Sequence, residues 1–363
     1  MHEHALAPDI GTDVRLLDGA TGSLPKPSPN WAAAADASRS LEDRLESYED
    51  IIDSEVGDTT LTRARNIERD VGCRQLYLKF EGSNPSGTQK DRIAFAQAMD
   101  ALRRGFDTVT FATCGNYGAA AALAAHLAGL RCVAYIPANY HASRVKEMED
   151  LGARIIRAGD DYESAVLLSR EHAERDEIYD ANPGGANTAI QLKAYGEIAY
   201  EIYDELRDAP AAVAIPVSNG TTLAGVYRGF VSLFRRGKTS RMPRFVAGSS
   251  FRKNPIIRAF QLDLERCENL RPEQVRETPI NEPLVNWHSI DGDCALQAIR
   301  ETRGWAGNVS DRSLSEFSRV VREREGLSVL PASTAGLAAL VEWHRREPLP
   351  GDRYVAILTG RRG

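Results

Sequence analysis

Strand-like and helix-like segments alternate along most of the chain, and this alternation limits its fold more than any other feature. Around Val109 comes TVTFAT, then an Ala-rich helical stretch after Asn116, the strand-like RCVAYIP, the helical SRVKEMEDLG and the strand-like ARIIRAG. A second series opens at Ala211 with AAVAIPV and continues through RFVAGSS to YVAILTG, with helical stretches such as DRSLSEFSRVVREREG between them. Strands joined by helix-length connections run parallel, so the pattern predicts an α/β architecture with doubly wound sheets. Two such lobes facing each other across a cleft are expected. The expected division is an N-terminal arm over 1–40, a large lobe built from 41–98 and 208–363, and a small lobe over 99–207. The arm is rich in Ala, Pro, Ser and Asp and has no steady period.

Composition excludes several classes of function. A chain of 363 residues can bury a large core, which suits an enzyme better than a small binding module. Its net charge of −6 gives no reason to expect nucleic acid or an anionic membrane as partner. No apolar stretch nears the roughly 20 residues that cross a bilayer. MHEHALAPDIGTDVR also lacks a basic segment followed by an apolar one, so a cytoplasmic protein is expected. The five cysteines (Cys73, Cys114, Cys132, Cys267 and Cys294) form no C-x-x-C pair and the histidines no H-E-x-x-H, so neither a disulfide framework nor a metal site is expected.

Four segments carry candidate chemistry. In the run from Lys79 to Arg92, a turn-forming N-P-S-G is followed by Lys90 at an apparent helix start. A lysine placed there can reach into a cleft. Desolvation and the neighbouring Arg92 would both lower its proton affinity, as a Schiff-base nucleophile requires; a solvated helix start would use the same letters. Thr113-Cys114-Gly115-Asn116-Tyr117-Gly118 joins a strand to a helix, where backbone amides can meet an anion. Asn116 could equally be a helix cap, and Cys114 a small buried apolar residue. Ser218-Asn219-Gly220-Thr221-Thr222 lies between another strand and helix, where amides and hydroxyls converge at the positive end of the helix dipole and suit a phosphate. The last segment runs from Glu325 to Ala335 and returns at Thr359-Gly360.

Taken together and in order, these segments resemble the threonine synthases and related fold-type II pyridoxal-phosphate enzymes of the tryptophan-synthase-β superfamily. E-G-S-N-P-S-G-T-Q-K-D-R is similar to N-P-T-G-S-F-K-D-R, with Gln89 in place of an aromatic residue. Thr113 to Tyr117 resembles S-[ST]-G-N-[TH], and Glu325 to Ala335 resembles E-G-x-x-x-E-P-A-S-A-A with Leu330 in place of the glutamate. The likeness begins at Gly57-Asp58-Thr59-Thr60-Leu61, similar to G-x-T-P-L, and ends at V-x-x-T-G around Thr359.

The resemblance implies that pyridoxal 5'-phosphate is the cofactor and that Lys90 holds it covalently. It further implies that Asn116 touches the ring's 3′-oxygen, that Ser218, Asn219, Gly220, Thr221 and Thr222 hold the phosphate, and that Thr359 meets the ring nitrogen. Thr113, Cys114, Gly115 and Tyr117 would meet the carboxylate of a small amino-acid substrate. A neutral hydroxyl at the ring nitrogen leans the chemistry toward elimination or replacement at the β or γ carbon.

A threonine synthase-like lyase, acting as a homodimer, is therefore expected. The alternatives are a serine/threonine dehydratase, a cysteine synthase-like replacement enzyme, or a cofactor-binding protein without turnover. One departure bears on the substrate. Where threonine synthases carry N-S-[IV]-N-P-x-R to hold a substrate phosphate, this chain reads Tyr179-Asp180-Ala181-Asn182-Pro183-Gly184-Gly185-Ala186-Asn187, with no arginine before Lys193. An aspartate there repels a phosphate and the bidentate anchor is gone, so O-phosphohomoserine is expected to be a poor substrate. Arg144 and Lys193 are the candidate replacements for that charge.

Overall fold

Ten strands form two sheets in a computed structural model that describes residues 29–113, 115–138 and 144–362. The first sheet contains β1 (Leu61–Arg63), β2 (Leu76–Phe80), β7 (Ala212–Pro216), β8 (Arg244–Ser250), β9 (Trp305–Val309) and β10 (Tyr354–Leu358), in the order β1-β2-β10-β7-β8-β9. All its pairings are parallel except β1 with β2, where Leu61 lies opposite Lys79. The second sheet contains β3 (Thr108–Ala112), β4 (Arg131–Ile136), β5 (Arg154–Arg157) and β6 (Tyr179–Asp180), parallel throughout in the order β5-β4-β3-β6. The expected α/β class with two mostly parallel sheets is the observed one.

The central strands are buried end to end. TVTFA, AVAIP and YVAIL present no residue to solvent, because helices cover both faces and alternation gives way to continuous apolar runs. Phe230, Ile198 and Val226 pack on one face of the large sheet, and Leu337, Leu340 and Trp343 on the other. A separate core around Phe111, Ala120 and Ile136 fills the small lobe. Trp31 and Ala34, in the described part of the expected arm, are buried in that same core. Tyr48, on the helix Leu41–Glu55, joins them and donates to Ala124 O at 3.0 Å.

Loops leaving the carboxyl ends of β3, β7 and β10 converge between the sheets. That is where parallel α/β sheets place their ligand crevice.

Candidate active site

Lys90 stands at the first position of the helix Lys90–Arg103, directly after the tight turn that the N-P-S-G letters demand. Gly87, at φ +88°, closes that turn by donating from its amide to Asn84 O at 2.8 Å. Gln89 N then donates to Thr359 O at 3.0 Å, tying the lysine's turn to the end of β10. Burial draws the Lys90 ammonium down from 10.5 to about 8. At pH 7 that leaves about one amine in ten neutral, against about one in three thousand at the ordinary value. Arg92 does not contribute as expected: its guanidinium is spent on Glu81 at 2.6 Å and Glu201 at 2.7 Å, so desolvation alone acts on the lysine.

The loop after β3 is shaped by Thr113 and Gly115. Thr113 Oγ1 accepts the amides of Gly115 (3.0 Å) and Gly118 (2.8 Å) and so turns the chain into the helix Asn116–Leu127. Gly115 takes φ +141°, a backbone state that side chains resist. Arg144 donates to Asn116 Oδ1 at 3.2 Å, which leaves the Asn116 NH₂ as the donor available to a ligand. Tyr117 contributes its ring to the cavity wall, while its hydroxyl donates to Ala181 O at 2.5 Å. Cys114 lies outside the described residues.

The loop after β7 leads into the helix Thr221–Arg235, whose first amides have no helical partner and which no side chain caps. Gly220, at φ +89°, makes this turn, and a methyl group on it would meet Asp291 O at 2.8 Å. The loop is held from behind: Ser218 O accepts from Asn254 (3.0 Å) and Ser289 (3.0 Å), and Asn219 Oδ1 accepts from Asn286 (3.0 Å). Sequence reasoning missed these three braces, because they sit in the irregular stretch after β8 and no local period marks them. Asp291 was missed for the same reason; it accepts the Thr221 hydroxyl at 2.5 Å.

At the end of β10, Thr359 Oγ1 donates to Ser333 Oγ at 3.2 Å, and Ser333 donates onward to Gly360 O at 3.1 Å. Leu330 is the neighbouring wall residue. This end of the cavity thus offers two hydroxyls and an apolar side chain, with Ser333 an addition to the residues singled out from sequence.

The lysine turn and the three loops meet at one cavity of about 560 Å³. The described candidates for the cofactor and the substrate carboxylate lie on its wall: Lys90, Asn116 and Thr359, Thr113, Gly115 and Tyr117, and Ser218 through Thr222. The donor set fits pyridoxal phosphate on three counts. A desolvated amine of lowered basicity suits an aldehyde, an uncapped helix start suits a phosphate, and hydroxyls without a carboxylate suit an uncharged pyridine nitrogen.

The comparisons with known proteins agree. A family model described as pyridoxal-phosphate dependent enzyme matches residues 52–360. Threonine synthase of Methanocaldococcus jannaschii is 28% identical over 307 residues, covering 84% of this chain and 74% of that one. Threonine synthase of Synechocystis is 30% identical, covering 84% and 76%. The structure of maize serine racemase overlays with a TM-score of 0.73 at 20% identity, covering 87% of this chain and 92% of the other. The chain belongs to the pyridoxal-phosphate dependent enzyme family, as a threonine synthase-like member with the fold-type II architecture. Its cofactor is accordingly pyridoxal 5'-phosphate.

The segment expected to face a substrate phosphate does not reach the cavity. Tyr179 is buried and donates to Asp100 at 3.0 Å; Asn182 accepts the Ala112 amide at 2.7 Å and donates to Ser169 at 3.0 Å. Arg144 pairs with Glu147 at 2.7 Å and Lys193 is exposed, and neither lines the cavity. The wall instead carries Asp160, Asp161, Glu163, Glu277 and Glu282 against Lys90 and Arg276. Among the described residues no helix is long and apolar enough to cross a membrane.

Proposed function

We propose that this enzyme eliminates or replaces an uncharged or weakly charged substituent at the β or γ carbon of a small amino acid, as a lyase or transferase of the threonine synthase-like kind. The observation that carries this reading is Lys90, half-buried and with its proton affinity lowered by desolvation, where the three loops meet. When bound, pyridoxal phosphate supplies an electron-accepting ring conjugated to the substrate's α carbon. Lys90 would hold the cofactor and, as a neutral amine, would move the proton at that α carbon. Asn116 would donate to the ring oxygen, the amides of Ser218 to Thr222 would hold the phosphate, and Thr359 would turn its hydroxyl from Ser333 to the ring nitrogen. The amides of the Thr113–Tyr117 loop would orient the substrate carboxylate.

The excess of carboxylates on the wall supports a non-phosphorylated substrate, because they outnumber Arg276 and Lys90, and a dianion brought among them without enough partners costs several kcal/mol. Dehydration of serine or threonine and replacement on an activated serine are the reactions that satisfy this. The proposal extends to a cytoplasmic homodimer, which sedimentation and cell fractionation check. To test the chemistry, the holo-protein is mixed with serine, threonine, O-acetylserine and O-phosphoserine while its visible spectrum and products are followed. A spectral change with release of a keto acid or a new amino acid is expected. A spectrum unmoved by all four would contradict the reading.

A further inference from the structure

The two adjacent threonines of the phosphate loop differ in where their hydroxyl protons go. Each hydroxyl has one proton to give. Thr221 gives its proton to Asp291 Oδ2 at 2.5 Å, an acceptor buried behind the loop. Thr222 receives instead: Gln89 Nε2 donates to Thr222 Oγ1 at 3.4 Å. The Gln89 carbonyl oxygen is buried with no partner among the described residues. Turning the amide over would put its NH₂ in that partnerless place and bury unpaired donors, so the donating orientation is the one the surroundings favour.

We propose that Gln89 is a positioning residue that makes Thr222, and not Thr221, the hydroxyl donor to the cofactor phosphate. Accepting from the glutamine amide, Thr222 cannot send its proton to Gln89, which leaves the cup formed by the first amides of the helix Thr221–Arg235 and the neighbouring Tyr195 hydroxyl as its outlets. Gln89 also bonds Thr359 O through its backbone amide and precedes Lys90 in the chain, so one residue ties the lysine turn to the loop after β7 and to the end of β10. It is also where this chain departs from the aromatic residue of its relatives' motif: an aromatic ring could pack against the loop but could not orient a hydroxyl.

The inference rests on the proposed placement of the phosphate at Ser218 to Thr222. It is tested by stripping the protein of cofactor and titrating pyridoxal 5'-phosphate back, following the visible band, with circular dichroism confirming that each variant is folded. A hydrogen bond to a charged oxygen corresponds to roughly 10- to 100-fold in affinity. Thr222→Val should weaken binding at least tenfold, while Thr222→Ser, which keeps the hydroxyl, stays within about threefold of wild type. Thr221→Val, made together with Asp291→Asn so that no carboxylate is stranded, should also stay within about threefold of the Asp291→Asn protein. Gln89→Leu removes only the orienting donor and should cost a few-fold. Gln89→Glu takes the Thr222 proton for itself and should cost at least as much as Thr222→Val. Equal losses at the two threonines, or wild-type affinity in Gln89→Glu, would overturn the inference while leaving the site intact. If wild-type protein forms no band with the cofactor, the reading of the site itself fails.

Discussion

The loop after β7 and the segment after β6 each follow a parallel strand, yet their polar groups are disposed in opposite ways. At Ser218 to Thr222 the backbone carbonyls and side chains are braced from behind by Asn254, Asn286 and Ser289, and the helix amides are left facing the cavity. From Tyr179 to Asn187 the polar side chains are instead paired within the small lobe, Tyr179 with Asp100 and Asn182 with Ala112 and Ser169. The first region keeps donors in reserve for an anion that arrives later; the second has used its donors to build the fold. On the proposed reading, the phosphate this enzyme holds belongs to the cofactor and not to the substrate.

The largest effect expected is at the lysine that the first region serves. Lys90→Ala should lower turnover by about 10³-fold or more, since it removes both the covalent link and the acid/base group. It should also abolish borohydride-reducible attachment of the cofactor, and a reduced adduct mapping to another lysine would refute the assignment. Next, Thr359→Asp places a carboxylate by the ring nitrogen and favours its protonated form, so the visible band should shift and activity fall roughly tenfold or more. An unchanged spectrum and rate would show that Thr359 does not face the ring.

The pH dependence of cofactor capture sharpens the same half of the comparison. Lys90 reacts as the neutral amine, and its proton affinity is lowered by burial to about 8. The capture rate by stripped protein should therefore rise about tenfold per pH unit below 8 and level off above it. A rate still climbing toward 10.5, the ordinary lysine value, would mean that the amine is solvated. The smallest effect belongs to Gly220→Ala, whose methyl group would sit 2.8 Å from Asp291 O at φ +89°. A cost of about 1–2 kcal/mol is expected, seen as a lower Tm and weaker cofactor binding.

The loops proposed to hold the cofactor were legible in the sequence because each is short and local: a strand, a few small residues and a helix start, with Lys90, Asn116 and Thr221 at readable positions. Their supports were not. Asn286 lies 67 residues from Asn219 and Asp291 lies 70 from Thr221, in a stretch with neither strand nor helix periodicity. The neutralisation of Arg92 was hidden for a like reason, since Glu201 approaches it from a helix 109 residues on. Tyr117 was read as a substrate contact from its place in the motif, but only the folded chain shows its hydroxyl turned to Ala181. The acidic wall was equally invisible, since Asp160, Asp161 and Glu163 come from one lobe and Glu277 and Glu282 from the other.

The contrast between the two regions is tested most directly by one preparation of holo-enzyme and five substrates: O-phosphohomoserine, O-phosphoserine, O-acetylserine, serine and threonine. With the segment from Tyr179 to Asn187 paired inward and carboxylates on the wall, kcat/KM for O-phosphohomoserine should fall at least about tenfold below that of the best non-phosphorylated substrate. If O-phosphohomoserine instead wins by about tenfold and yields threonine, the cavity supplies a phosphate anchor that these residues do not, and the assignment of a non-phosphorylated substrate is wrong.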